Sequence, residues 1–121
     1  MSSTPQTMRA VAIDRFGGPE VLELKSLPVP KPGPGDVLIR VAFAGVAEWD
    51  VYEQEGGFAE MLGLKPVFPY ALGSEGAGVV GEVGAEVERF SPGDRVYALK
   101  LPAGGFYAEY TAVPEDAVAF V

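Results

Sequence analysis

The chain of 121 residues contains no cysteine and no histidine. That excludes a disulfide, a thiolate nucleophile, an iron–sulfur cluster and a Ser-His-Asp triad. Zinc sites draw mainly on the same two residue types, so zinc finds no ordinary ligand set, and no metal is expected. Base is scarce as well. Nine Lys and Arg stand against seventeen Asp and Glu, a net charge of −8. Nucleic acid and anionic membrane surfaces both need a basic face, so neither is an expected partner. No apolar run approaches the ~20 residues of a bilayer span. Residues 1–7 carry neither the basic nor the apolar region of a signal peptide. They read as a flexible leader before a domain that starts at Met8, and the expected location is cytoplasmic.

What is present points to strands and turns. Sixteen glycines and eleven prolines accompany a hydrophobic content of 48%. So many helix breakers argue against a long-helix protein, and so much apolar content argues against disorder. Residues 8–13 (MRAVAI) read as a strand. Residues 21–27 (VLELKSL) alternate, with Leu22 and Leu24 on one side and Glu23 and Lys25 on the other, as a half-buried strand paired back in a hairpin. Four prolines in residues 28–34 demand an extended connection. Residues 36–44 (DVLIRVAFA) are apolar on both faces except at Arg40, the pattern of a central strand. Further strands are expected over 76–83, 95–99, 107–113 and in the apolar run from 118. Turns fall at 91–94, 103–105 and 114–116. About seven short strands with turns every 8–12 residues make a mainly β barrel or sandwich.

Residues 47–55 (AEWDVYEQE) are the one good helix candidate. Glu48 and Asp50 sit near its start, where the helix dipole favours acids, and Gly56 and Gly57 follow its end. A second turn is possible at 58–62. Trp49 and Tyr52, three apart, share a side. They either pack the helix onto the barrel, which spacing favours, or line a pocket for a flat ligand. Glu48, Asp50, Glu53, Glu55 and Glu60 form an acidic stretch that reads as a solvated helix face.

Gly76, Gly78 and Gly81 spell G-x-G-x-x-G, with Asp94 downstream. A dinucleotide fingerprint needs a helix to follow, whereas Val79, Val80 and Val83 favour a strand. Small residues in a strand that another backbone approaches closely are the expected meaning. Glu75 is a candidate buried carboxylate, with Arg40 or Arg95 as possible partner.

Four segments together, 8–24, 32–52, 72–99 and 104–120, resemble the N-terminal GroES-like catalytic domain of the medium-chain dehydrogenase/reductase superfamily. The resemblance covers residues 8–121 and implies a partly open β-barrel with one or two short helices. Zinc-dependent members carry Cys at the position of Ala47 and His at that of Ser74. Their absence, and the GGFYAEY segment, place the chain with the zinc-free NAD(P)H:quinone oxidoreductase-like branch. Glu75 and Asp50 keep the family's acids. That branch often has Asn where Ala47 stands, in contact with the cofactor, and its pocket tyrosine corresponds to Tyr52.

The resemblance therefore implies a quinone or enone acceptor lined by Trp49, Tyr52 and Ser74, with Ala47 and Glu48 toward the cofactor. NADP would serve the intact two-domain enzyme. The Rossmann domain that holds it is absent from this chain, which reads as a fragment inactive alone, with a homodimer possible. No catalytic residue can be named. The alternatives are a stand-alone GroES-like binding or assembly module and, more remotely, a ring-forming co-chaperonin.

Overall fold

A computed structural model of the chain describes residues 4–121. Of the leader expected over residues 1–7, residues 1–3 lie outside the described residues. Gln6 already accepts a hydrogen bond from the Val29 N–H at 2.9 Å.

Eight strands and two short helices follow in order: β1 Thr7–Ile13, β2 Glu23–Pro28, β3 Asp36–Ala44, α1 Glu48–Gln54, α2 Gly57–Leu62, β4 Tyr70–Ala71, β5 Glu75–Val83, β6 Arg95–Leu99, β7 Tyr110–Pro114 and β8 Val118–Phe120. All pairings are antiparallel. β2-β1-β4 form one sheet and β7-β3-β5-β6-β8 the other. The segment 107–109 joins them. The Val11 N–H donates to the Tyr107 carbonyl at 2.7 Å and the Glu109 N–H to that of Arg9 at 3.1 Å, while the Val41 N–H donates to the Glu109 carbonyl at 2.9 Å. The result is a mainly β, incompletely closed barrel, as expected.

The main core lies over the larger sheet: Val37, Ile39, Val80, Phe90, Val96, Phe106, Val113 and Val118. A smaller cluster of Ile13, Val21 and Leu72 lies under the first sheet. Burying each such aliphatic or aromatic side chain stabilises the fold by roughly 1.5–3 kcal/mol.

Three local expectations are corrected. In β2 the alternation puts Leu24 outside, 72% exposed, while on the other side of the strand Lys25 is tied to Asp14 and Glu23 at 2.7 and 2.9 Å. The strand expected over 107–113 pairs as β7 only from Tyr110, since residues 107–109 are drawn off to β1. β3 is central and buried on both faces only in its first half. A register irregularity between Val41 and Phe43 turns the second half outward, leaving Phe43 77% exposed. Phe43 pairs with Ala77, and Ala77 with Tyr97, so Phe43 and Tyr97 lie in one row across three strands and border a groove with Leu99.

The glycine-rich run is strand β5, not a loop before a helix. A Cβ on Gly76 would lie 2.5 Å from the Phe43 carbonyl oxygen, and one on Gly78 would overlap the Arg40 carbonyl. Close approach of β3 explains these glycines, as the strand reading expected.

Candidate functional site

Helix α1 sits where the chain leaves β3, and Gly56 ends it in a left-handed conformation at φ 89°. Its orientation reverses the expected one. Trp49, Val51 and Tyr52 face outward, while Asp50, Glu53 and Gln54 are buried. The acidic stretch is therefore not one solvated face. Only Glu48, Glu55 and Glu60 are exposed. Positions 50, 53 and 54 have the i, i+3, i+4 spacing of an inward stripe, filled by polar residues.

Such residues must be hydrogen-bonded to be tolerated. Oδ2 of Asp50 accepts the Ala47 N–H at 2.9 Å, closing the first turn of the helix. Oδ1 accepts the Ser74 hydroxyl proton at 2.9 Å. Ser74 in turn accepts the Trp49 indole N–H at 2.5 Å. Ser74 is fully buried at the mouth of β5, next to the turn at Gly73, whose φ is 99°. Burial and the neighbouring Asp50 carboxylate push the Tyr107 hydroxyl up to about 12.

Glu53 anchors the other side. Its Oε2 accepts the Tyr70 hydroxyl proton at 2.7 Å and the Ala103 N–H at 2.8 Å. Burial first, then the bond to Glu53, raises the Tyr70 pKa.

Glu48, Trp49 and Tyr52 meet at one shallow outer depression, closed by Phe58 and Met61. Tyr52 and Phe58 pack edge to face at 4.8 Å. A Cβ on Gly57 would overlap the Tyr52 ring, so the ring lies directly against that glycine. Ser74 does not reach the depression; it lies beneath it and acts on it through Trp49. Ala47 is half-buried, with its N–H committed to Asp50. The favoured packing role for Trp49 and Tyr52 is not what the structure shows, since both are well exposed. Glu75 is half-buried, and among the described residues it pairs with neither Arg40 nor Arg95, both of which are exposed.

Sequence reasoning passed over Asp50 and Glu53 as buried anchors, Tyr70 and Tyr107 as their partners, and the Ala103 N–H. The stripe 50-53-54 was the available signal. Periodicity reveals that a stripe exists, and only packing tells which way it points.

Among the described residues no group of three or more His, Cys, Asp or Glu side chains is placed to hold a metal ion. No helix is long and apolar enough to cross a membrane.

Comparison with known proteins agrees with this geometry. Residues 33–121 match the family described as the alcohol dehydrogenase GroES-like domain. The mouse quinone oxidoreductase is 39% identical over 119 residues, covering 98% of this chain and 34% of that protein. The quinone oxidoreductase of Pseudomonas syringae superposes with a TM-score of 0.81 at 37% identity, over 94% of this chain and 33% of that one. The Escherichia coli quinone oxidoreductase, solved in complex with NADPH, gives 0.81 at 27% identity, over 93% and 33%. The chain thus spans about a third of the length of these relatives. With an incompletely closed barrel, its two helices, and this similarity across nearly its whole length, the chain belongs to the alcohol dehydrogenase GroES-like domain family, among the quinone oxidoreductase-like members of the medium-chain dehydrogenase/reductases.

Proposed function

We propose that this chain is the substrate-side domain of a zinc-independent, NAD(P)H-dependent quinone or enone oxidoreductase. The observation that carries the reading is the relay from Trp49 through Ser74 to Asp50, which anchors Trp49 in the depression it shares with the exposed Tyr52. A zinc-binding relative has ligands where Ala47 and Ser74 stand. Here Ala47 offers a methyl group, and the Ser74 hydroxyl is occupied on both sides. The donor set does not fit zinc, and an acceptor that is already electrophilic needs no Lewis acid.

The chain's own residues do not fit a dinucleotide. Its one fingerprint-like segment is strand β5, where backbone leaves no room at Gly76 and Gly78. The reading therefore assigns NADP, the hydride source, to a part of the intact enzyme outside these residues. Binding of NADPH by the E. coli relative supports that cofactor. Within this chain, Trp49 and Tyr52 offer a flat acceptor two aromatic walls. The Tyr52 hydroxyl can donate to an acceptor oxygen. On this reading Ala47 and Glu48 would face the cofactor. Orientation and exclusion of water are worth several kcal/mol of barrier, of a possible ~7–11.

Trp49 is the only tryptophan, so its fluorescence reports the site directly. A soluble naphthoquinone is expected to quench it saturably, with the saturable component lost in Tyr52→Ala. NADPH with the same quinone is expected to give no turnover by the 121-residue chain. Quenching that is linear in quinone and indifferent to Tyr52→Ala overturns the acceptor role; turnover by the chain alone overturns the assignment of the cofactor elsewhere.

A further inference from the structure

The larger sheet turns one face to its core and leaves part of the other bare. Its register fixes what stands on the bare part. Along β5 the outward positions are 79, 77 and 75, and each belongs to a row across three strands. Arg40, Val79 and Arg95 form the first row, and Phe43, Ala77 and Tyr97 the second. In the third, Glu75 pairs with Leu99, and the Gly45 N–H donates to the Glu75 carbonyl at 3.0 Å. Phe43, Tyr97 and Leu99 are 77%, 53% and 54% exposed, and both arginines are exposed. A Cβ on Gly45 would overlap the Glu75 carboxylate, so that side chain leans across the bare face, where it lines a groove with Phe43, Tyr97 and Leu99. The face is thus basic at one end, aromatic in the middle and acidic at the other. Four residues of strand, about 13 Å, separate Glu75 from the arginine row. Within one copy no ion pair joins them.

We propose that two copies of this chain meet on this face, about a two-fold axis lying along the row of Phe43, Ala77 and Tyr97. Rotation about that axis sets each member of the row against its own counterpart and exchanges the two ends of the strands. Glu75 of one copy then stands opposite Arg40 and Arg95 of the other, and symmetry makes the contact twice. An axis along β5 would instead set Glu75 against Glu75, and like charge opposes it. Aligned sheets pack about 10 Å apart, a gap that an arginine and a glutamate side chain span together. The aromatic row supplies the attraction, and the small Ala77 at its centre lets the facing rings approach. The exposed charge pairs add little affinity; they select the orientation. The face shares no residue with the depression of Trp49 and Tyr52, so the outcome leaves the proposed function untouched.

Sedimentation equilibrium of the 121-residue chain, from micromolar to millimolar concentration, is the test. A monomer–dimer equilibrium is expected. Tyr97→Glu, at an exposed position, is expected to keep the chain monomeric throughout. Arg40→Glu with Arg95→Glu sets acid against acid and is expected to weaken the dimer at least ten-fold. Glu75→Arg sets base against base and is expected to weaken it similarly, although it lowers the net negative charge. All three changes together restore opposite signs and are expected to return the dissociation constant to within a few-fold of the original. Reversal of the two exposed arginines reads the pairing even should Glu75→Arg disturb the packing at Gly45. A chain that stays monomeric at millimolar concentration, a dimer that survives Tyr97→Glu or is indifferent to reversal of the two arginines, or a triple variant no tighter than the arginine pair alone would each overturn the proposal.

Discussion

The hydroxyl of Ser74 donates to Oδ1 of Asp50 across 2.9 Å with both side chains buried. The bond ties the start of β5 to the first turn of α1, elements 24 residues apart in the chain. Ser74→Ala withdraws it and also strips the Trp49 indole N–H of its acceptor. The expected loss is about 1–3 kcal/mol, read by urea denaturation. Trp49 emission should change in the native baseline too, because its anchor is gone.

Gly57→Ala tests the site without threatening the core. Position 57 opens α2, where Ala is about 1 kcal/mol better than Gly in a helix interior. The added methyl must move the Tyr52 ring. The thermal midpoint is expected to hold or rise, while quinone quenching of Trp49 weakens several-fold.

Gly78→Ala separates the two meanings of the glycine-rich run. In β5 a Cβ there collides with the Arg40 backbone, which cannot swing away. The expected cost is about 1–3 kcal/mol of stability, the range for forced overpacking. Were the run a nucleotide loop, the same change would spare stability and alter nucleotide binding.

Alkaline pH should loosen the fold through its tyrosines. Tyr107 is raised from 10.0 to about 12 by burial and by Asp50, so its neutral form is favoured in the folded state. That contribution is complete below pH 10 and is lost as pH rises from 10 toward 12. Tyr70 shifts in the same direction, by burial and its bond to Glu53. Ultraviolet titration should show Tyr70 and Tyr107 ionising late. Tyr107→Phe should remove one of them and flatten the alkaline loss of stability.

Leu24→Ser is expected to change stability by no more than about 0.5 kcal/mol, as for an exposed position. Leu38→Ala, at a fully buried position, should cost about 2–5 kcal/mol. Denaturation midpoints of the two variants make the comparison.

These two leucines show how far the sequence could be read. Leu38 lies in a run apolar on both faces, which identified a central strand, although the cover stops halfway along it and leaves Phe43 outside. Leu24 lies in a clean alternation, which identifies a strand but not the side its partners will cover. The same limit applied to α1. Its start, its end at Gly56 and the pairing of Trp49 with Tyr52 were legible from spacing. Its direction was not, because the residues that satisfy Asp50 and Glu53 come from positions 70, 74, 103 and 107, and only the folded barrel brings them near. Gly76 and Gly78 were legible as close-approach glycines because β-branched neighbours left no helix to follow them.

The outward row of Phe43 and Tyr97 sits on a molecule of charge −8. The two features act over different ranges. Like charge holds copies apart across a Debye length of about 10 Å at 0.1 M salt, whereas aromatic surface attracts only on contact. Any self-association through this row would therefore answer to ionic strength. Adding salt shortens the repulsion to about 3 Å at 1 M and would favour contact of the aromatic rows, the reverse of how salt treats a complex held by ion pairs.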